Sequence, residues 1–355
     1  MNLPPLSRFK RLVSEEQFAS TLSWPTVTIP PMGPADYPTL SAGDLAVTQH
    51  RGSFIRPCPA TPRYNCCGLN IFHFGQGCDL GCMYCILSAY LGSEAVILFG
   101  NVADGLAELE GRLALMSSSN FTPPPGSPVP SNRFCTGEFT DSLLLDEETK
   151  LSEKLIALFR DRPPFFLELK TKTARIDHLL DLDHAGRTVI SFSVNAPQIC
   201  CQEEPLAASL LDRLSAAARA ANKGYPVGLH FDPLIYHPNW EKGYEQTCHL
   251  IAEHLAPESV AWVSLGCFRY LPALKPIMLR SRPSSLFDAE FIRGGDGKMR
   301  YPRPLRQHIY RTVLDFLRPK IGPQTKVYLC MESGRVWREV FGYDPGTAGL
   351  TSMFS

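Results

Sequence analysis

A chain of 355 residues can bury one large α/β core or two smaller ones, and its 44% hydrophobic and 20% charged content is that of a globular protein. Lysine plus arginine and aspartate plus glutamate number 35 each, and the resulting zero net charge argues by itself neither for nor against a nucleic-acid partner. Composition excludes a membrane span, since no apolar run approaches ~20 residues. It also argues against a secreted disulfide framework, since no charged n-region and apolar h-region open the chain, and the twelve cysteines suit a reduced cytoplasmic compartment.

The first sixty residues are punctuated by Pro4-Pro5, Pro30-Pro31 and Pro34 without clear periodicity, which predicts an arm wrapped on a core, residues 1–65. Arg56–Gly68 follows with Cys58, Cys66 and Cys67. These either pack as small hydrophobes or, with Cys200 or Cys201, hold a second metal; adjacent cysteines point opposite ways on an extended strand, so one of Cys66 and Cys67 packs. The first strand, Leu69–Phe74, runs into a loop where Cys78, Cys82 and Cys85 are spaced C-x3-C-x2-C. Thiolates are the ligands of iron–sulfur clusters, and most clusters take four. Three on one loop leave one iron of a [4Fe–4S] cube without a protein ligand. Such an iron can chelate the amino and carboxylate groups of S-adenosylmethionine (SAM), as reductive cleavage of its sulfonium requires. Zinc would usually call for a second C-x2-4-C pair further along, and no such cysteine pair follows.

Further apolar runs lie at Val96–Phe99, Arg133–Cys135, Phe165–Leu169, Thr188–Val194, Val227–Phe231, Val260–Leu265 and Val327–Cys330. Helical patterns between them span Val102–Met116, Glu147–Arg160, Pro205–Asn222 and Trp240–His254, the third with leucines at 206, 210, 211 and 214 and Gly224 just beyond. The proline- and serine-rich Ser117–Ser131 predicts an exposed loop. Strands alternating with helices predict a parallel sheet. The fold class is α/β, a partial (βα)6-type barrel over residues 66–268 with an N-terminal arm and a C-terminal extension, 269–355. Barrel sites lie at the C-terminal ends of strands, where the cysteine loop falls. Polar clusters at Cys135–Asp141, Lys170–Lys172, Ser191–Asn195, His230–Asp232 and Gly266–Arg269 should converge on it. Each also reads alone as a helix cap or turn.

These residues carry a resemblance. The C-x3-C-x2-C loop after the first barrel strand resembles the radical SAM signature. Lys172, Asp177–Leu180, Phe192–Asn195, Gly224-Tyr225, and His237 with Trp240–Tyr244 are similar to elements of the spore photoproduct lyase family. The resemblance implies cluster ligation by Cys78, Cys82 and Cys85, an aromatic ring at Tyr84 near adenine, and a grip on the methionine amino group by Glu138. It further implies SAM contacts from Asp141, Lys172, Ser193 and Asn195, with Lys172 suited to the SAM carboxylate. The chain also departs from the family. The family's hydrogen-donating cysteine before a Thr-Ser-Asp element is Glu138 here, and the aromatic residue after the third cluster cysteine is Ile86. Cys135 lies three residues earlier on the opposite face of a strand from an immediate neighbour of that position. Cys267, at another strand end, is then the donor candidate.

From Arg269 to Lys326 thirteen Lys/Arg stand against four Asp/Glu. Arg269, Lys298, Arg300, Tyr301, Arg303 and Arg306 interleave cations with rings, as an enzyme acting on a base in DNA or RNA would require, and Gly294–Gly297 reads as a hairpin turn presenting them. A solvated, internally paired face is the bland reading. The function expected is SAM cleavage to a 5′-deoxyadenosyl radical for repair of a DNA photoproduct, by a monomer served by an external electron donor such as a flavodoxin or ferredoxin. The alternatives are radical modification of RNA or a peptide, or a non-catalytic metal-binding nucleic-acid module.

Overall fold

The computed structural model describes residues 11–14, 43–59, 61, 63–91, 95–118, 130–281 and 283–354. Most of the expected arm, and residues 119–129 of the expected loop, lie outside these.

Seven parallel strands form an open, curled sheet in chain order: Asn70–Phe72, Arg133–Cys135, Phe166–Thr171, Thr188–Ser193, Val227–Leu234, Val260–Cys267 and Lys326–Leu329. Ile55–Pro57 adds antiparallel to the first. Each strand buries apolar residues on both faces, from Ile71 and Phe134 to Leu229 and Leu265, as a sheet covered by helices must. Helices Val102–Ser117, Leu151–Arg160, Leu210–Asn222, Trp240–His254 and Arg303–Leu317 fill the crossovers. Trp240, Tyr244, Thr247, Cys248 and Ile251 form the buried stripe of the fourth, the i, i+4, i+7 spacing of an amphipathic helix. Among the described residues no helix is long and apolar enough to cross a membrane.

The structure departs from the expected elements in four places. Val96–Phe99 leaves the barrel for a second sheet, parallel to Asp44–Thr48, which pairs in turn with Arg11–Ser14, and antiparallel to Gly75-Gln76. The pairing needs close backbone approach: a Cβ on Gly75 would meet the Ile97 carbonyl oxygen at 2.6 Å, and one on Gly77 (φ +85°) the Ala95 oxygen at 2.2 Å. The helix expected from Glu147 breaks at Lys150, whose φ is +53°. The helix expected from Pro205 starts at Leu210, because Ser209 caps it by accepting from the Asp212 N–H at 3.1 Å. Finally, the last barrel strand lies inside the segment assigned to a C-terminal extension, so no boundary at residue 268 separates the sheet.

Candidate active site

At the C-terminal ends of the strands opens a cavity of about 280 Å³. The cysteine loop forms one wall. It is tied down by Gly77 N–H to Phe139 O (2.9 Å), Met83 N–H to Glu203 O (2.9 Å) and Leu206 N–H to Leu80 O (3.3 Å). The residues ahead of the Ser209 cap are therefore used to hold this loop. Buried Leu80, Met83 and Tyr84 anchor it, while half-buried Cys78, Cys82 and Cys85 line the cavity. Burial pushes all three thiols up, Cys82 to about 12, against the opposing Lys172 charge near Cys82 and Cys85. Among the described residues no three side chains converge on a single ion. A cube does not ask for that, since each thiolate takes a different iron. Three soft thiols bordering one cavity beside a cation fit a [4Fe–4S] cluster with one iron open to the cavity. Cys58, Cys66 and Cys67, by the same measure, do not converge on one metal ion with Cys200 or Cys201.

Tyr84 lines the cavity, and its hydroxyl donates to Glu204, whose other oxygen takes the Arg213 guanidinium. Arg213 also donates to the carbonyls of Ser193 (3.0 Å) and Ala208 (2.8 Å), so one buried arginine joins the cysteine loop to the fourth strand. The Lys172 ammonium sits 5.5 Å from the Tyr84 ring centroid. Glu138 lines the cavity and receives the Lys170 ammonium at 2.8 Å. Gly137 before it lies against the Lys170 carbonyl, where a Cβ would sit at 2.7 Å, which is why a glycine precedes this glutamate.

Several expected site residues stand elsewhere. Asp141 borders the cavity, but its oxygens accept from Leu143 N–H (2.9 Å), Thr171 hydroxyl (2.8 Å) and Lys172 N–H (2.7 Å), so it joins two strand ends instead of presenting a free carboxylate. Asn195 is outside the cavity, its amide donating to Pro233 O (2.9 Å) and accepting from Tyr244 hydroxyl (2.7 Å). Cys267 is buried beside Tyr310 and Glu332, outside the cavity, and Cys135 turns its sulfur back to the Gly137 N–H (3.3 Å). Ser193 does line the cavity.

The basic segment is likewise mostly turned inward. Its hairpin forms as read, Ile292-Arg293 against Met299-Arg300, with Gly297 at φ +76°. Arg300, however, is buried on Asp296 and over the Tyr64 ring, Arg306 on Glu332 at 2.7 Å, and Tyr301 has no exposed surface, stacked on Phe291. Pairing each guanidinium with a carboxylate relieves the penalty of burying it, and it removes these groups from any exposed face. Arg303 alone of the expected contacts is near the surface, 3.9 Å from Glu339. Arg269 and Lys298 line the cavity, Arg269 bidentate on Asp232 (3.0 and 3.2 Å). Lys298 is 8% exposed, and among the described residues its ammonium meets only Met331 Sδ at 4.0 Å. Burial and the Arg269 charge push its pKa down.

Lys170 and His230 line the cavity, as expected of the converging strand ends, whereas sequence reasoning missed Tyr90, Met331 and Cys58 as cavity residues. Lys170 was legible, since it shares a strand face with Lys172. Met331 reaches the cavity through a left-handed turn, φ +53°, that no motif announces.

A partial α/β barrel with a three-cysteine loop after its first strand defines a radical SAM enzyme. The sequence profile of spore photoproduct lyase matches residues 70–290, and the chain belongs to the spore photoproduct lyase family. It is 27% identical to the spore photoproduct lyase of Bacillus subtilis (strain 168) over 265 residues, 72% of this chain and 74% of that one. With the lyase of Geobacillus sp. (strain Y412MC61) it shares 30% over 180 residues, half of each chain. A solved spore photoproduct lyase mutant with bound AdoMet and dinucleoside spore photoproduct superposes with a TM-score of 0.72 at 21% identity, covering 90% of this chain and 98% of that one.

Proposed function

We propose that this protein repairs a thymine photoproduct in DNA by radical chemistry in the cavity at the barrel mouth. The observation that carries the reading is that the three cysteines, the Glu138–Lys170 pair and Lys298, which meets no carboxylate among the described residues, border one volume. A [4Fe–4S] cluster on Cys78, Cys82 and Cys85, reduced by an external donor such as a flavodoxin or ferredoxin, would supply the electron that cleaves SAM to a 5′-deoxyadenosyl radical.

The chain's own groups have separable roles. Glu138 accepts from the SAM amino group, and Lys170, at 2.8 Å, orients it. Lys172 offers the SAM carboxylate an ammonium, while Tyr84, fixed by Glu204 and Arg213, gives the adenosyl moiety a flat wall. Asp141 and Asn195 act at one remove, holding the strand ends that carry Lys172 and Ser193. Lys298 and Arg269 supply the positive side that a phosphodiester or base carbonyl requires.

The test is anaerobic incubation of reconstituted, reduced protein with SAM and a dinucleoside spore photoproduct, following 5′-deoxyadenosine and thymine by mass spectrometry. Formation of both supports the reading. Deoxyadenosine with RNA or a peptide but not with the lesion would replace the substrate, and a colourless zinc-loaded protein would replace the whole mechanism.

A further inference from the structure

Hydrogen abstraction and carbon–carbon scission leave a carbon radical on the substrate, and it becomes an ordinary base only by gaining a hydrogen atom. Carboxylic acid, ammonium and hydroxyl groups hold hydrogen too strongly for this. A thiol S–H is weaker than the C–H bond formed, so transfer from sulfur runs downhill. The cavity wall bears four thiols, of which Cys78, Cys82 and Cys85 are the cluster ligands. The fourth is Cys58.

Its placement is built into the backbone. Ile55–Pro57 pairs antiparallel with the first barrel strand, and Cys58 N–H extends that ladder to Leu69 O at 2.8 Å. Pro57 and Pro59 flank it, fixing their own φ and holding Cys58 extended. Its thiol is hydrogen-bonded to Cys66, which bonds in turn to Cys67, and Cys67 Sγ accepts from the buried Arg133 guanidinium at 3.0 Å. The Cys66 hydrogen bond favours the Cys58 thiolate, but burial and the Glu138 charge outweigh it and raise the pKa, so the sulfur keeps its hydrogen at neutral pH. A second observation calls for a ligand in the same volume. The Lys298 ammonium, 8% exposed, lines the cavity, and among the described residues no carboxylate pairs with it. A buried cation so placed calls for an anionic or strongly accepting ligand.

Resting on the repair reaction proposed above, we infer that Cys58 is the hydrogen-atom donor. Its S–H bond breaks as a C–H bond forms on the substrate radical. The thiyl radical left on Sγ takes one electron from the external flavodoxin- or ferredoxin-type donor and a proton from solvent, which restores the thiol. Cys66 and Cys67 are positioning residues for this thiol.

The experiment uses full-length reconstituted protein and the dinucleoside lesion in D2O. Wild-type protein should place solvent deuterium in the repaired thymine on the first turnover, because a thiol hydrogen exchanges. Cys58→Ala and Cys58→Ser should keep iron and deoxyadenosine formation, yet give at least tenfold less intact thymine, without the solvent label. Cys267→Ala should match wild type. A readout without turnover is alkylation of the holoprotein, in which the dinucleoside should slow labelling of Cys58 and not that of exposed Cys201. Unchanged yield and label in Cys58→Ala, or no protection of Cys58, overturns the donor assignment alone. A wild-type protein that leaves the lesion intact overturns the repair reading, and the donor with it.

Discussion

Glu168 and Lys170 stand two residues apart on the third barrel strand and point to the same side, yet they belong to charge centres of opposite kinds. In the barrel interior Glu168 has no exposed surface: the Ser191 hydroxyl (2.6 Å), His230 Nε2 (2.8 Å) and Trp262 Nε1 (2.9 Å) all converge on its Oε1, with Arg133 Nε at 3.6 Å from Oε2. Arg133 in turn lies 4.0 Å from the Phe354 ring centroid. One turn of the pleat further on, Lys170 has only Glu138, and that pair is 22% and 28% exposed to the cavity. The interior centre draws its partners from four other strands and is fully buried, its Oε2 left to the Arg133 charge alone among the described residues. The mouth pair keeps hydrogen-bonding capacity open towards a volume of about 280 Å³. Full burial marks the first charge as structural, and access to the cavity marks the second as functional.

The comparison breaks most decisively at the cysteines. Cys78→Ala, Cys82→Ala or Cys85→Ala should abolish iron binding and deoxyadenosine formation, since a lost thiolate leaves two irons without protein ligands. Far-UV circular dichroism should stay that of the wild-type apoprotein, because the loop is pinned by backbone bonds and by Leu80, Met83 and Tyr84. Iron retained at full stoichiometry in any of the three would remove the cluster assignment.

In the interior the order of effects reverses. Glu168→Gln strips the carboxylate from beside a buried guanidinium, and breaking a buried pair in this way costs roughly 3–5 kcal/mol. Chemical denaturation should show that loss, with SAM affinity of the folded fraction unchanged. At the mouth, Glu138→Gln should do the converse. It should weaken SAM binding by about tenfold or more, about 1.4 kcal/mol, with the unfolding midpoint nearly fixed, while Cys135→Ala leaves SAM cleavage intact. If Glu138→Gln unfolds the protein instead, the distinction between the two centres fails.

The cysteine spacing and all seven barrel strands were readable from local patterns because period and motif are properties of short segments. The interior centre was not readable. Arg133, Glu168, Ser191, His230 and Trp262 come from five strands, and nothing in any one strand says that its polar residue faces the others. Reading the basic segment as one exposed face failed at Arg300, Tyr301 and Arg306 for a related reason. Counting charges from Arg269 to Lys326 gave an excess, but the partners of Arg269 and Arg306, Asp232 and Glu332, lie outside the counted window. The cavity role of Cys58 was hidden similarly, since its approach depends on an antiparallel edge strand too short to show alternation.

The smallest expected effect tests that contrast at a third buried polar group. His73 follows the first barrel strand, is 6% exposed, and among the described residues neither ring nitrogen has a hydrogen-bond partner; Phe99, Phe139 and His50 surround it within 5.2 Å between centroids. Burial, then the charges of Arg56 and His50, push its pKa down to about 4. In the unfolded chain the imidazole titrates near ~6.5. Between those values the unfolded state binds the proton and the folded state does not, so this group's contribution to stability falls as pH drops from about 6.5 towards 4. His73→Phe keeps the aromatic contacts and removes the titration. At pH 7.5 the variant should match or slightly exceed wild type in thermal midpoint, and the gap should widen in its favour by pH 5. Because Glu168 and Asp232, whose pKa values are held low, begin to lose their charge as the pH falls further, the difference between the two proteins is the quantity to measure, not either curve alone. A constant difference across that range would mean that the His73 nitrogens have partners in solution, and that His73 belongs with the interior centre.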